Sequence, residues 1–257
     1  MRVLALDTTT RAGSVAVCDD ERVLALLPGD QSRTHVERLP GELAQALAAA
    51  SIGREQIDLL AVATGPGAFT GLRIGLAAIQ GLAMTLNKPA IGVSALDALA
   101  AQALVDTTTA QSTTDMAEQN AAEIIVPWMD AQRGEVFATV IDRHTGTVLE
   151  APTAAHPDVL LDAWRAHLSG RRALFIGDAA ARDAAVILRH ADGPWETRAP
   201  SPLAPQIASL GLRRARRGEA GSPHTLEPIY VRRPDPEIER ERERLARRSP
   251  GGQGGHS

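Results

Sequence analysis

The hydrophobic positions change period several times along the first third of the chain. Residues 3–6, 14–18 and 23–27 are short β-rich runs with brief polar spacers, which predicts three neighbouring antiparallel strands. The period then turns helical, with Leu39, Leu43 and Leu47 recurring four apart. Just ahead of them, Thr34-His35-Val36-Glu37 reads as a capping box, with Thr34 as N-cap and Glu37 reaching back. Pro40 has no N–H to give, so a kink or a later start is expected there. Residues 59–63 form an unbroken apolar run, the pattern of a buried strand. A Gly-rich turn leads into a helix from about residue 70 to 86, then a strand at 89–93 and a helix at 95–104.

Residues 106–120 are rich in Thr, Gln, Ser and Asp and read as a loop between halves. Beyond it the pattern resumes. Strands are expected at 124–129 and 136–141 around a turn at Gln132-Arg133-Gly134, then a helix at 157–168, a strand at 173–176 and a helix at 180–191. The predicted organisation is a first α/β half (1–105), a linker (106–120), a second α/β half (121–200), a helix and strand packing back on the body (201–231) and a flexible charged tail (232–257). A three-stranded meander continued by β-α-β units suits a mixed sheet with helices on its faces. The likeness between the halves predicts a duplicated α/β unit whose second copy is reduced.

Composition narrows the function. Hydrophobic residues make up 44% of the 257, enough for a substantial core. A net charge of -4 and 3% aromatic residues argue against a stand-alone nucleic-acid binder or a base-stacking platform. Cys18 is the only cysteine, which excludes an internal disulfide and a multi-cysteine metal site and fits a reducing compartment. The N-terminal apolar run is too short for a signal-peptide core. No stretch reaches the roughly 20 apolar residues of a membrane helix, and residues 72–86 are broken by Gly75, Gln80 and Gly81. A cytoplasmic chain without membrane association is expected.

Two turns are candidates for chemistry. Asp7-Thr8-Thr9-Thr10 ends the first strand; such a turn either offers N–H groups and hydroxyls to a phosphate or is a hairpin needing no ligand. The run Gly65-Pro66-Gly67-Ala68-Phe69-Thr70-Gly71 is not a P-loop, having no lysine, and its spacing is not that of a dinucleotide fingerprint. It reads equally as an anion site at a helix N-terminus capped by Thr70 or as a structural turn. Asp7, Thr8, Thr9, Gly65, Gly67 and Thr70 are thus candidates for degenerate phosphate-binding turns. The helix that follows is apolar on nearly every face, so it is either a core helix or partly exposed at a partner. No two of the seven histidines are three to five residues apart, and neither His-Glu-x-x-His nor Gly-x-Ser-x-Gly occurs. Cys18 sits in an apolar strand as packing. Asp130-Ala131-Gln132-Arg133-Gly134-Glu135 reads as a turn of paired surface charges.

Taken in order, residues 4–9, Thr34-His35-Val36-Glu37 with Leu39-Pro40, the 65–75 run, residues 130–136 and Pro228-Ile229-Tyr230-Val231-Arg232 resemble the bacterial TsaB (YeaZ) proteins. The resemblance covers about residues 1–232. It implies an actin-like, Hsp70-like, sugar-kinase-like duplicated RNase H-like fold. It also implies a non-catalytic scaffold or activator subunit, partner of the catalytic paralogue TsaD and the ATPase TsaE, in forming N6-threonylcarbamoyladenosine. The modified base is position 37 of tRNAs reading codons that start with A. The paralogue's two metal-binding histidines fall here on Ala95 and Leu99, neither of which can ligate, so no metal and no catalytic residue is expected. Family pairing through two helices implies an interface at Leu39, Leu43, Leu47, Ile74, Ala78, Gly81 and Leu82. A homodimer of the free chain and tRNA contact mainly through the complex follow from the same resemblance. No intrinsic cofactor is expected, with weak ATP or ADP binding, by the chain or at a complex interface, left open. The competing reading is an independent ATPase or small-molecule kinase using Asp7 and the 65–71 turn; a protease has least support.

Overall fold

A computed structural model describes residues 1–109 and 121–232. Strands β1 (Arg2–Asp7), β2 (Ser14–Asp19) and β3 (Arg22–Pro28) form the expected meander. β4 (Leu59–Gly65) and β5 (Ala90–Ser94) add in parallel on the other side of β1, giving the order β3-β2-β1-β4-β5. The second half repeats the plan. β6 (Ile124–Asp130), β7 (Val136–Asp142) and β8 (Val148–Ala155) are antiparallel, and β9 (Ala173–Ile176) and β10 (Trp195–Arg198) extend β6 in parallel, in the order β10-β9-β6-β7-β8. Two sheets with one strand order make this the duplicated actin-like fold. The reduction of the second copy lies in its helices. The first half has α1 (His35–Ala49), α2 (Phe69–Leu86) and α3 (Ala95–Thr109). The second has short pairs, Pro157–Ala163 with Arg165–Leu168 and Asp178–Arg182 with Ala184–His190, before a longer Ala204–Arg216 helix.

The central core joins the halves. Val3, Ala5, Leu59 and Ala61 of the first sheet and Ile125, Met129, Leu174 and Ile176 of the second share one cluster with Leu96 and Leu99 of α3 and with Ile207 and Leu212. At about 1.5–3 kcal/mol per fully buried aliphatic side chain, this shared layer ties the two sheets together. The other face of the first sheet carries α1 and α2 over Leu4, Leu6, Leu60 and Val62. The outer face of the second packs Trp128, Trp164, Phe175 and Trp195, with the Trp128 indole N–H donating to Asp183 at 2.9 Å.

Several local expectations are met and others corrected. Glu37 accepts from the Thr34 N–H at 2.8 Å and from its hydroxyl at 2.7 Å, so α1 starts where the capping box puts it. Pro40 lies inside α1 without moving its start. It and Val36 are exposed, so water can serve the carbonyl left without a helical donor. The N-cap of α2 is Ala68, not Thr70, because the helix already begins at Phe69. α3 runs on to Thr109, past the expected end at Leu104 and into the expected linker; residues 110–120 lie outside the described residues, as does the tail beyond Arg232. β8 and β10 are edge strands that the hydrophobic pattern did not announce, and each expected helix at 157–168 and 180–191 is split in two. α2 is the one described helix long and apolar enough to cross a membrane. Its Leu72, Leu76, Ile79 and Ala83 are buried in the first half, which accounts for much of that apolarity.

Candidate functional site

The first turn folds inward. Asp7, Thr8 and Thr9 are 3%, 0% and 2% exposed, so this turn is part of the interior. Asp7 accepts from the Thr9 N–H at 2.8 Å and from the Thr9 hydroxyl at 2.6 Å. Burial pushes the Asp7 carboxyl above its ordinary range, opposed by the two Thr9 hydrogen bonds. The Thr8 hydroxyl is buried with no partner and faces Gly75. A side chain at Gly71 would strike the Thr8 carbonyl and one at Gly75 the Thr8 hydroxyl, so these glycines let α2 approach the turn. The Ala68 N–H, at the mouth of α2, donates to the Thr9 carbonyl at 2.8 Å. The two predicted turns are therefore brought together, joined by that hydrogen bond and by the close packing of Gly67 on Thr9. Thr70 is exposed and lines the cleft instead.

α1 grips the same turn with residues that the sequence reading did not single out as functional. Arg38 is only 4% exposed. Its guanidinium contacts Glu42 at 2.6 Å, the Arg11 carbonyl at 3.2 Å, the Ala12 carbonyl and the His35 Nδ1 at 2.8 Å. Because Arg38 can only donate, His35 Nδ1 accepts, and Nε2 carries the proton donated to the Thr10 carbonyl at 3.0 Å. Burial, with the Arg38 charge adding, lowers the His35 pKa and holds the ring neutral. A lone arginine on a helix carries no sequence signal of burial, which is why it went unseen.

The second turn is built differently. The β6–β7 connection places Gln132, Arg133 and Gly134 in succession at φ 64°, 57° and 77°. Two non-glycine residues in the left-handed region carry strain of order 1–2 kcal/mol each. Asp130 holds Gln132 through its backbone and side-chain amides at 3.1 and 2.7 Å and pairs with Arg182 at 2.5 Å. Asp178 accepts from the Asp130 N–H at 3.0 Å. The cleft walls desolvate the Asp178 carboxyl and push it up, with the Asp130 charge adding. Two adjoining cavities flank Ala68, Asp130 and Gln132. One, of about 520 Å³, is lined by Thr9, Thr10, Arg33, His35, Thr70 and Asp178. The other, of about 420 Å³, is lined by Phe69, Leu72, Phe137, Tyr230 and Arg232.

The C-terminal segment closes that second cavity. The Ile229 N–H donates to the Thr64 carbonyl at 2.7 Å, and the Ile229 carbonyl lies where a side chain on Gly65 would fall. Tyr230 stacks on Phe69 with ring centroids 5.7 Å apart, and the Arg73 guanidinium lies 4.0 Å above the Phe69 ring. Arg232 reaches across the cleft to Glu135 and to the Ala131 carbonyl at 3.0 Å. Pro228 to Arg232 thus belongs to the cleft that the other motifs build.

The remaining predicted residues divide. Ala95 and Leu99 are buried in the central core. Leu39 is 3% exposed and belongs to the core beneath α1, so it is shielded from any partner. Leu43, Leu47, Ile74, Ala78 and Leu82 are half-buried on that cluster, while Gly81 is exposed with open space around it and Met84 is 55% exposed. α1 and α2 therefore present one surface that is apolar and partly open. Burial pushes the Cys18 thiol up to about 11, so it stays a neutral packing group.

With this geometry in view, the relatives are informative. The family described as TsaD: tRNA N6-adenosine threonylcarbamoyltransferase matches residues 25–156, about half of the chain. The Haemophilus influenzae tRNA threonylcarbamoyladenosine biosynthesis protein TsaB is 34% identical over 150 residues, 56% of this chain and 55% of that protein. The Escherichia coli TsaB is 36% identical over 140 residues, 53% of each. The chain spans about half the length of the curated relatives it matches. A crystal structure from Pseudomonas aeruginosa, described as similar to peptidase YEAZ, superposes with a TM-score of 0.69 at 26% identity. That superposition covers 90% of this chain and 99% of the other. The chain therefore belongs to the TsaD-type tRNA N6-adenosine threonylcarbamoyltransferase family and, within it, to the TsaB (YeaZ) group.

Proposed function

We propose that this chain is a non-catalytic partner subunit in the formation of N6-threonylcarbamoyladenosine at position 37 of tRNAs reading codons that start with A. It works in the cytoplasm with a TsaD-type catalytic paralogue and a TsaE-type ATPase. One observation carries the reading. The residues that would serve phosphate or metal chemistry are spent on the protein's own packing. The Thr9 hydroxyl is bound to Asp7 and the Thr8 hydroxyl is shut against Gly75. Ala95 and Leu99 are apolar core. What stays open is the α1–α2 surface, where an apolar partner helix gains from burial. The cleft sets Arg11 and Arg33 against Asp130 and Asp178, so its charges balance and offer a triphosphate no net cationic seat.

The test is reconstitution. The chain is mixed with TsaD-type and TsaE-type proteins, ATP, threonine, bicarbonate, the enzyme that makes threonylcarbamoyl-adenylate, and tRNA, and the modified nucleoside is measured. Modification is expected only when this chain and its paralogue are both present. Steady ATP hydrolysis or phosphoryl transfer by this chain alone would favour the independent-kinase reading instead.

A further inference from the structure

Arg38 poses a question that the scaffold reading leaves open. A charge this deep costs several kcal/mol of desolvation, and a well-packed apolar residue would often serve stability as well or better. The clue to what Arg38 does is where its donors go. They reach two carbonyls of the β1–β2 turn, Arg11 and Ala12, and the ring of His35, which holds a third, Thr10. Glu42 keeps the guanidinium in place. On its other side the same turn is seated against α2, Thr8 lying in the space that Gly71 and Gly75 leave. α1 and α2 are thus positioned by one piece of backbone, residues 8–13, and these two helices carry the partly open apolar surface.

We infer that this turn is a wedge that sets α1 against α2, that Arg38 and His35 are positioning residues fixing it, and that docking of a TsaD-type partner on α1–α2 is coupled to the cleft through it. The inference rests on the scaffold reading for the partner's identity but not for the wedge itself. The turn also lines the 520 Å³ cavity through Thr9, Thr10 and Arg11, so whatever enters the cleft pushes on the part that aligns the helices. The clamp works only with neutral His35, because a protonated ring cannot accept the Arg38 N–H. The charged groups around His35 are Arg38 and Glu42 on α1, Arg33 before it, Arg11 on the turn, and Asp130 and Asp178 across the cavity. α2 presents only Thr70, Gly71 and Ile74 there.

Two comparisons test it on the full chain with a TsaD-type partner. Arg38→Met/Glu42→Gln removes the clamp without stranding a charge. It should keep its thermal midpoint within a few degrees yet bind the partner about tenfold more weakly near pH 7.5. Separately, because burial lowers the His35 pKa below its ordinary value of 6.5, wild-type affinity should hold from about pH 7.5 to 6.5 and fall below that, down to about pH 4.5, while His35→Gln, which can still donate and accept, falls less. A folded double variant that binds as wild type, or identical pH profiles for wild type and His35→Gln, would overturn the inference. If the double variant fails to fold, the pH comparison decides. If the wild-type chain binds no TsaD-type partner, the scaffold reading fails. The wedge is then read on the chain alone by hydrogen exchange of α1 amides, with protection relative to the intrinsic rate at each pH expected to fall at low pH in wild type but not in His35→Gln.

Discussion

One helix contains two glycines for which the same substitution should have opposite signs. In a helix interior, replacing Gly by Ala gains about 0.8–1 kcal/mol from backbone entropy and hydration. At Gly81 nothing lies within 4 Å of the added methyl, so the gain should appear nearly whole. At Gly75 the methyl would run into the Thr8 hydroxyl and lie 3.2 Å from its Cβ and Cγ2. Thr8 is fully buried and cannot swing into solvent. Overpacking of this kind costs about 1–3 kcal/mol, so the net effect at Gly75 is a loss of roughly 1 kcal/mol. For a chain of this size that is about 2–4 °C in thermal midpoint per kcal/mol. Calorimetry should show Gly81→Ala melting higher and Gly75→Ala melting lower than wild type. The cause can be isolated, since Thr8→Ala removes the clashing atoms and an unpaired buried hydroxyl and should rescue Gly75→Ala. It should not rescue Gly71→Ala, whose clash is with the Thr8 backbone carbonyl. If Gly75→Ala and Gly81→Ala shift the midpoint in the same direction, the close approach of α2 to the β1–β2 turn is wrong.

Three further outcomes are expected. Ala78→Arg, on the half-buried outer side of α2, should abolish binding of a TsaD-type partner in a pull-down while leaving the circular dichroism melt within a few degrees; a variant that unfolds would instead make that face core. Asp183→Ala should cost about 2 kcal/mol in urea denaturation, because it strands the buried Trp128 indole N–H; an unchanged midpoint would refute that bond. The Arg171 guanidinium holds the Asp142 carboxyl down to about 2. A depressed carboxylate contributes stability above its ordinary pKa that is lost as pH falls through its folded value. Arg171→Gln should therefore lose stability at neutral pH and show a shallower decline between about pH 4 and 2, read from midpoints against pH.

What the chain reveals of itself depends on how locally each feature is encoded. β1, β2 and β4 are apolar runs of four or five residues with turn residues at their ends, so their places are legible within a residue or two. The capping box of α1 is written in four consecutive residues. β8 and β10 are not legible. β8 has no buried residue and contains Pro152, and β10 has four residues with only Trp195 buried, so neither shows the alternation of a packed strand. The Gly-rich run stands out in the sequence, but its meaning depends on what lies across from it. Gly71 and Gly75 face Thr8, more than 60 positions earlier, and that pairing exists only in the fold. Arg38 is harder still: at an amphipathic helix boundary it looks like a surface charge, and only the position of the turn makes it interior.

Duplication gives the cleft two equivalent hairpins, β1–β2 and β6–β7, and they have diverged in a way that bears on function. The first spends its aspartate, hydroxyls and carbonyls on Thr9, α2 and α1 and keeps little for a ligand. The second stays open to the cavities, holds two strained residues at positive φ, and leaves Asp130 and Asp178 facing the space between the halves. Strain of this kind persists only where surrounding contacts fix it. Here those contacts are Asp130 with Gln132 and Arg182 on one side, and Glu135 with Arg232 on the other. Arg232 comes from the segment that also stacks Tyr230 on Phe69 at the mouth of α2. The C-terminal strap therefore ties the strained second turn to α2, while Arg38 ties the first turn to α1. The first hairpin thus seats both α1 and α2, and the second is tied through the strap to α2 alone.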